Sequence, residues 1–368
     1  MSGPIFTPLV QSLPASVPFV GPETQERARG AAFQARIGAN ESVFGPSPKA
    51  IAAMAKAATE VWQYADPENH DLKHALAAHH GVKPENIVVG EGIDSLLGYL
   101  NRMLVSEGTP VVTSAGAYPT FNYHVSGYGG RLCTVPYKDD REDPDALLDL
   151  ARRENAPLVY FANPDNPMGS WHGADVVQEM IDNVPAGTLL CLDEAYIEFA
   201  PGGTAPPLDV SRPNVIRFRT FSKAHGMAGA RIGYGIAEES LALAFNKVRN
   251  HFGVNRIAVE GALASLADQA YIAQVRRKVA AACERIAAIA RDNGLEALPT
   301  ATNFVAIDCG RDGAYAKAVL DNLVAAGIFV RMPFVEPQNR CIRVSAGRDA
   351  DLDALAEALP GALRKAGP

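Results

Sequence analysis

Short apolar segments that alternate with helical segments constrain the fold of this chain more than any other feature. Each apolar segment is four or five residues long, which suits a strand, and helix-like stretches such as residues 94–105 separate them. Strands separated by helices usually form a mostly parallel sheet with helices on both faces, so we predict an α/β fold of this kind. The predicted strands are residues 86–90, 110–113, 158–161, 188–192 and 215–218.

The same pattern divides the chain of 368 residues into three predicted parts. Residues 1–40 hold several Pro and Gly residues and little periodicity, which predicts an N-terminal arm. Residues 41–255 contain the alternating segments and form the large domain. Residues 256–368 form a smaller α+β domain, with a long helix over 268–293 followed by Gly294, and strands over 303–307, 327–331 and 341–345.

Composition argues against several classes of function. The net charge is −7 without clustered basic residues, so no nucleic-acid partner is expected. No apolar run is long enough for a membrane span, and the N-terminus lacks the pattern of a signal peptide. The five cysteines form no CxxC pair, and His70 and His74 lack a recognised metal motif, so no metal is expected. These features predict a cytoplasmic protein with reduced thiols.

Polar residues follow the predicted strands at the point where each strand ends. Ligands of open α/β sheets bind beyond the carboxyl ends of the strands. Five polar positions at one edge of the sheet therefore predict a ligand site there. They are Asp94, residues 118–123, residues 163–166, Asp193 and Lys223.

Lys223 and Asp193 indicate which ligand this site binds. Pyridoxal phosphate (PLP) needs a lysine for its Schiff base and a carboxylate opposite its ring nitrogen. An anionic Asp193 would keep that nitrogen protonated. Once substrate has displaced it from the cofactor, Lys223 would move a proton from the substrate α-carbon to the cofactor, the central step of transamination.

The phosphate would be held by a helix start and two side chains. Gly92, Ile93 and Asp94 join a strand to a helix, where free backbone N–H groups bind anions. Ser222 would add a hydroxyl group, and Arg231 a bidentate cation. Taken alone, the stretch is also compatible with an ordinary helix start that has Asp94 near its N-cap.

Three further side chains are predicted around the cofactor ring. Asn166, in the polar turn 163–169, and Tyr196 would donate to the phenolic oxygen of PLP and favour its ionised form. Phe121 would stack on the ring face. The alternatives are a plain loop for residues 163–169 and core packing for Phe121.

Arg331 and Arg343 are candidates for binding the acidic end of a substrate. They lie twelve residues apart, near the ends of two predicted strands of the small domain. A guanidinium group binds a carboxylate or a phosphate in a planar fork. The alternative for each arginine is a surface ion pair.

Together these residues resemble fold-type I PLP enzymes, specifically class I/II aminotransferases of the histidinol-phosphate aminotransferase group. The resemblance extends from Gly38-Ala39-Asn40-Glu41 to Arg343-Val344-Ser345-Ala346-Gly347. Its strongest motifs are Asn163-Pro164-Asp165-Asn166-Pro167-Met168-Gly169, Asp193-Glu194-Ala195-Tyr196, and Thr220-Phe221-Ser222-Lys223 with Arg231.

The resemblance implies a homodimer with shared active sites, in which Tyr64 reaches the cofactor phosphate of the other subunit. It also places Thr220 at the cofactor, and Asn40, Phe19, Arg331 and Arg343 at the substrate. Three positions depart from the family pattern. Phe19 replaces a tyrosine that helps to bind the substrate phosphate, Ile93 replaces a small residue, and Phe121 replaces a frequent tyrosine.

The predicted function is therefore PLP-dependent transfer of an amino group to a 2-oxo acid such as 2-oxoglutarate. The donor would be histidinol phosphate or an aromatic or other α-amino acid, since the change at Phe19 removes one phosphate ligand. A PLP-dependent decarboxylase of an amino-acid phosphate is the nearest alternative. A non-catalytic PLP-binding regulatory protein is a remote one, because Lys223 is retained and no DNA-binding extension is evident.

Overall fold

A computed structural model describes residues 3–15 and 19–367, so residues 16–18 of the predicted arm lie outside the described residues. Helices α1 to α13 are Pro8–Ser12, Pro22–Arg29, Pro48–Ala57, His70–His80, Ile93–Leu104, Pro119–Gly127, Pro144–Glu154, Ala174–Asp182, Glu239–Ala244, Arg256–Leu266, Gln269–Asp292, Gly313–Ala325 and Asp349–Ala366. Strands β1 to β12 are Ala35–Arg36, Ile87–Gly90, Pro110–Ser114, Arg131–Val135, Leu158–Ala162, Leu189–Asp193, Val215–Thr220, Gly233–Ala237, Glu296–Ala297, Phe304–Asp308, Ile328–Phe329 and Cys341–Ser345. Short 3-10 turns are Ala58–Glu60, Pro84–Asn86, Ile197–Phe199, Ala228–Ala230, Phe245–Lys247 and Gln338–Arg340.

Seven strands form one mixed sheet in the order β2-β8-β7-β6-β5-β3-β4. The pairs from β7 through β6, β5 and β3 to β4 are parallel, whereas β8 runs antiparallel to both of its neighbours. The prediction of a mostly parallel sheet is confirmed, and all five predicted strands are present to within two residues. The prediction missed β4 and β8. Two glycines, Gly233 and Gly235, give β8 the sequence character of a loop.

Alternate residues of the central strands face two layers of helices. Along β5, Leu158 and Tyr160 pack with α5 and α6, whereas Val159 and Phe161 pack with α7 and α8. This period of two follows from the pleat of a strand. Because both faces are covered, the strand is apolar at every position, as a sheet between two helical layers requires.

Side-chain caps fix the starts of helices in these layers. The Ser47 hydroxyl oxygen accepts a hydrogen bond from the Ala50 N–H at 3.1 Å before α3, and Asp143 accepts one from Ala146 at 3.1 Å before α7. A proline occupies the first helical position after each cap, where its missing N–H removes no helical hydrogen bond. The caps thus define where each helix leaves the sheet edge.

The C-terminal part of the chain builds a second core around a three-stranded antiparallel sheet of order β12-β10-β9. Helices α11, α12 and α13 cover this sheet, and α11 is the predicted long helix. A segment from near the N-terminus joins the same core. Strand β1 pairs in parallel with β11, and Ala35 and Ile37 are buried among the C-terminal apolar residues.

Helix α10 packs with the large sheet, since Ala258 and Ala262 share a core cluster with residues of α4, β2 and β8. The division at residues 40/41 and 255/256 stays a prediction. This packing supports a proposal in which residues 35–37 belong to the C-terminal core and α10 belongs to the large domain.

Within residues 3–15 and 19–367, no helix is both long and apolar enough to cross a membrane. The same part of the chain has no group of three or more His, Cys, Asp or Glu side chains that could hold a metal ion.

Candidate active site

A cavity of about 490 Å³ opens at the carboxyl ends of β5, β6 and β7, where the C-terminal core faces the large sheet. The sequence prediction placed a ligand site at this edge, and most of the predicted residues line the cavity. They are Phe19, Asn40, Ile93, Asp94, Asn166, Asp193, Tyr196, Thr220, Ser222, Lys223, Arg231, Arg331 and Arg343.

Lys223 follows β7 and extends its amine into the cavity. Its Nζ donates to the backbone carbonyl of Asn40 at 3.1 Å and lies 5.4 Å from the ring centroid of Tyr196. The turn after Lys223 requires glycine at Gly226, whose φ is 69° and whose missing Cβ would lie 2.3 Å from the Gly45 backbone. The close approach of the backbone at Gly226 to the backbone at Gly45 fixes the course of the turn that follows Lys223.

Asp193 ends β6 with its carboxylate buried at the base of the cavity. One oxygen accepts a hydrogen bond from the Tyr160 hydroxyl at 2.7 Å, and the other accepts one from the Ala195 N–H at 2.9 Å. Burial raises the pKa of Asp193 to about 6, and among the described residues no cation forms an ion pair with it. A buried carboxylate without a counter-ion fits a positively charged ligand, such as a protonated ring nitrogen.

Directly behind Asp193, Glu194 forms a buried ion network. Its carboxylate receives Arg217 at 2.5 Å and Arg219 at 2.9 Å. Burial favours the neutral acid, but the two arginines outweigh it and the pKa of Glu194 lies below its ordinary value. This network fixes the strand ends that carry Asp193 and Lys223.

The end of the cavity where a phosphate is predicted to bind contains a helix start, two hydroxyl groups and an arginine. Helix α5 begins at Ile93 without a side-chain cap, after Gly92 with a φ of 84°. The positive φ favours glycine at this position, and a Cβ there would lie 2.5 Å from the Arg231 guanidinium. The Thr220 hydroxyl donates to Ser222 at 2.9 Å. Backbone N–H groups, hydroxyls and a guanidinium together are suited to an anion.

Asn166 and Tyr196 line the cavity and contact Arg343 and Phe304 of the C-terminal core. The Asn166 side-chain oxygen accepts a hydrogen bond from Arg343, and the Tyr196 hydroxyl accepts one from the Asn40 amide at 3.1 Å. Both side chains therefore keep hydrogen-bond donors for a ligand.

Arg331 and Arg343 form a cationic wall of the cavity. Burial lowers the pKa of Arg343 to about 10 and also lowers that of Arg331. Arg343 donates to the Gly38 carbonyl at 3.3 Å, and Arg331 donates to the Val20 carbonyl at 2.8 Å and lies 5.8 Å from the Phe19 ring centroid. Neither forms an ion pair with a carboxylate in the described part of the chain, so the alternative of a surface ion pair is wrong.

One predicted role is contradicted by the structure. Phe121 is fully buried, stacks on Tyr160 with 4.5 Å between ring centroids, and does not line the cavity. Tyr118 lines the cavity instead, and its hydroxyl donates to Asp94 at 2.7 Å. Because α6 begins at Pro119, Phe121 and Val125 share its buried face, while Tyr118 precedes the helix at the sheet edge. The proline was the sequence signal for this difference.

Tyr64 lies outside the cavity of its own chain. Its ring is 77% exposed and contacts Phe252 with 4.8 Å between centroids. The predicted reach of Tyr64 into another subunit stays a prediction. Tyr160, Asn303 and Ser345 are further residues near the cavity that the sequence prediction did not include. They form hydrogen bonds with Asp193 or Asn40.

The family model of class I and II aminotransferases matches residues 34–359, and the chain belongs to this family. Histidinol-phosphate aminotransferase 2 of Pseudomonas fluorescens (strain Pf-5) is 35% identical over 366 residues, which cover 98% of this chain and 97% of the relative. The crystal structure of histidinol-phosphate aminotransferase from Sinorhizobium meliloti in complex with pyridoxal-5′-phosphate is 57% identical, with a TM-score of 0.97 over 100% of this chain and 99% of that chain.

The predictions of a fold-type I architecture and of an aminotransferase are therefore confirmed. L-threonine-O-3-phosphate decarboxylase from Porphyromonas gingivalis has a TM-score of 0.77 at 20% identity, over 90% of this chain and all of that chain. At this identity the likeness shows a shared fold alone.

Proposed function

We propose that the chain binds PLP and transfers an amino group from histidinol phosphate or a related α-amino donor to a 2-oxo acid. The observation that carries this proposal is the buried Asp193 carboxylate in the same cavity as Lys223. PLP would supply the positive ring nitrogen that this carboxylate lacks, and an aldehyde for the lysine amine. The PLP-bound relative from Sinorhizobium meliloti supports the choice of cofactor.

Different residues around the cavity would bind different parts of the cofactor. The start of α5, Ser222 and Arg231 would hold the phosphate, and Asp193 would hold the ring nitrogen. Asn166 and Tyr196 would donate to the phenolic oxygen. Tyr118, rather than Phe121, would contact the ring face. Of these two aromatic side chains at the start of α6, only Tyr118 lines the cavity.

Bound PLP supplies an electron sink for the bond broken at the substrate α-carbon. Lys223 takes the α-proton onto its Nζ, and the Asn40 carbonyl at 3.1 Å accepts a hydrogen bond from that nitrogen. Asp193 keeps its negative charge opposite the ring nitrogen. Lys223 would then give up this proton on the cofactor side of the α-carbon. Water would still have to release the oxo product, which leaves the amino group on the cofactor.

Arg331 and Arg343 would bind the acidic group of either substrate. Two half-buried guanidinium groups without a carboxylate partner among the described residues suit the phosphate of histidinol phosphate and the carboxylates of 2-oxoglutarate. The names of the relatives support histidinol phosphate as donor. Phe19 lies beside Arg331 and has no hydroxyl group that could bind a phosphate. Aromatic α-amino donors, which carry no phosphate, are therefore the second candidate.

The exposed apolar side chains near Tyr64 support a homodimer. Val61, Trp62 and Phe252 are 60%, 80% and 56% exposed, which is unusual for such large apolar groups on an isolated subunit. A second copy of the chain that covered these side chains would bring its predicted phosphate site close to Tyr64 of the first copy. Analytical ultracentrifugation tests this state, and a monomer at micromolar concentration would contradict it. The biosynthetic character of the relatives supports a cytoplasmic location.

The function is tested with purified holoenzyme and a panel of donors: histidinol phosphate, tyrosine, phenylalanine and leucine. We expect histidinol phosphate to change the absorbance of the bound cofactor fastest and 2-oxoglutarate to restore it. Lys223→Ala should abolish the change, whereas Lys56→Ala, an exposed lysine of α3, should not. A Lys223→Ala protein that transaminates at the wild-type rate would refute the proposal, and a preference for another donor would refute the substrate.

A further inference from the structure

Asn40 is held at the cavity wall by an unusually complete set of hydrogen bonds. It is 2% exposed, and its backbone φ of 56° lies in the left-handed region, which asparagine adopts more readily than most other non-glycine residues. Its N–H donates to the Ser345 hydroxyl oxygen at 3.0 Å, and its side-chain oxygen accepts from the same hydroxyl at 2.9 Å. Ser345 thus fixes both the backbone and the side chain of Asn40.

The two remaining polar groups of Asn40 face the reactive residues. Its side-chain amide donates to the Tyr196 hydroxyl at 3.1 Å, and its backbone carbonyl accepts from Lys223 Nζ at 3.1 Å. The same carbonyl accepts a second hydrogen bond, from the Asn303 amide at 3.0 Å. A carbonyl oxygen has two lone pairs, so Asn303 and Lys223 together use both.

Asn303 has no other evident task. It is 1% exposed, its amide also donates to the Glu41 carbonyl at 3.4 Å, and its side-chain oxygen has no hydrogen-bond partner among the described residues. A buried amide with one unpaired end destabilises a fold compared with an apolar side chain. The hydrogen bonds of the Asn303 amide therefore go to the carbonyls of residues 40 and 41, and the first of these carbonyls also accepts a hydrogen bond from Lys223 Nζ.

We propose that Asn303 and Ser345 are positioning residues for amino transfer, acting through Asn40. Asn303 holds the Asn40 carbonyl where the Lys223 amine, carrying the proton taken from the α-carbon, can donate to it. Ser345 holds the Asn40 side chain where its amide supports the Tyr196 hydroxyl. The inference rests on the proposed function, and each residue serves a different reactive group.

The test compares Asn303→Ala and Ser345→Ala with a matched control. Asn86→Ala removes another buried amide, 5% exposed, whose Nδ2 donates to the Ala237 carbonyl at 2.9 Å, outside the cavity. Asn303→Ser is measured as well, because serine stays polar but is too short to reach the carbonyl. Thermal denaturation identifies any variant whose loss is only one of folding.

The first readout is a single turnover with saturating donor, followed by the absorbance of the bound cofactor. Asn303→Ala and Asn303→Ser should slow proton removal about tenfold or more, with donor affinity changed less than about threefold. The isotope effect with an α-deuterated donor should increase. Asn86→Ala should match wild type in all three measurements. Equal rates for Asn303→Ala and Asn86→Ala would overturn the role of Asn303.

The second readout needs no turnover: the pH midpoint of the absorbance of cofactor attached to Lys223. Without Ser345, Tyr196 loses the support of the Asn40 amide and donates less well to the phenolic oxygen. That oxygen then keeps more negative charge and holds a proton on the Lys223 nitrogen to higher pH. Ser345→Ala should raise the midpoint by about half a pH unit or more, and Ser345→Thr, which keeps the hydroxyl, should restore it. An unchanged midpoint in Ser345→Ala would overturn its role.

Borohydride reduction followed by mass spectrometry separates the two levels of inference. Wild type and all variants should carry the reduced cofactor on Lys223. If wild type does not, the proposed function fails. If every protein does and the variants behave as Asn86→Ala, only the positioning roles fail.

Discussion

Asp193 should destabilise the cofactor-free protein, although it is needed when the cofactor is bound. Burial raises its pKa to about 6, while an unfolded chain gives an aspartate about 3.9. One pKa unit corresponds to about 1.4 kcal/mol, so the ionised carboxylate costs about 3 kcal/mol of folding free energy. Asp193→Asn removes this cost, and the Tyr160 hydroxyl can accept a hydrogen bond from the new amide.

The sign of this effect depends on pH. A carboxylic acid whose folded pKa is raised causes no loss of stability at low pH, where both states are protonated. The loss grows as the pH rises through about 4 to 6 and is complete above that range. Cofactor-free Asp193→Asn should therefore be more stable than wild type by about 2–3 kcal/mol at pH 8 and nearly equal to it near pH 4.

Urea denaturation and thermal denaturation of both cofactor-free proteins measure this difference. For a chain of 368 residues, about 3 kcal/mol corresponds to a rise in Tm of about 4 °C. With PLP bound the order should reverse, because the amide cannot pair with a positive ring nitrogen. The reasoning is refuted if the asparagine variant is no more stable at pH 8, or if the difference is the same at pH 4 and pH 8.

Three further substitutions give separate tests. Glu194→Gln leaves two buried arginines without their carboxylate and should lower the free energy of unfolding by about 3–5 kcal/mol at pH 7. Because the folded pKa of Glu194 is depressed, this difference should vanish in urea titrations as the pH falls through that pKa, and a pH-independent difference would contradict the ion network. Gly226→Ala places a Cβ 2.3 Å from the Gly45 backbone and should prevent accumulation of folded protein, so a wild-type Tm would show that this turn relaxes. Arg343→Lys should raise the KM of both substrates about tenfold or more, since lysine lacks the planar fork, while borohydride still traps cofactor on Lys223. An unchanged KM would remove Arg343 from the substrate site.

The placement of the proposed reactive residues at one sheet edge was predictable from the sequence, because it follows from a general rule. Lys223, Asp193 and Asn166 each follow an apolar strand, and the carboxyl ends of parallel strands meet at one edge. Their positions thus depended only on recognising the strands. In the structure all three line one cavity, and the ends of the strands before them differ from the predicted ends by two residues or fewer.

The residues that form hydrogen bonds with Asn40 were not predictable, because these contacts depend on packing between distant segments. Asn303 reaches Asn40 across 263 positions of sequence, and Ser345 reaches it across 305. Neither has a motif that marks it. Phe121 and Tyr118 show a different limit: both are aromatic and three residues apart, and only the helix start at Pro119 determines which one is buried.

The pairing of β1 with β11 has a consequence for synthesis of the chain. Residues 35–40 leave the ribosome early, yet the strand and the hydroxyl that hold them come from residues 328–345, near the end of the chain. A nascent chain that extends beyond β8 contains all seven strands of the large sheet, but it has no partner for β1 and none for Asn40. Contacts of such long sequence separation form late in folding. The part of the cavity that the large sheet lines can therefore form before the chain is finished, whereas the Asn40 carbonyl that accepts from Lys223 is set in place only after the last strand has emerged.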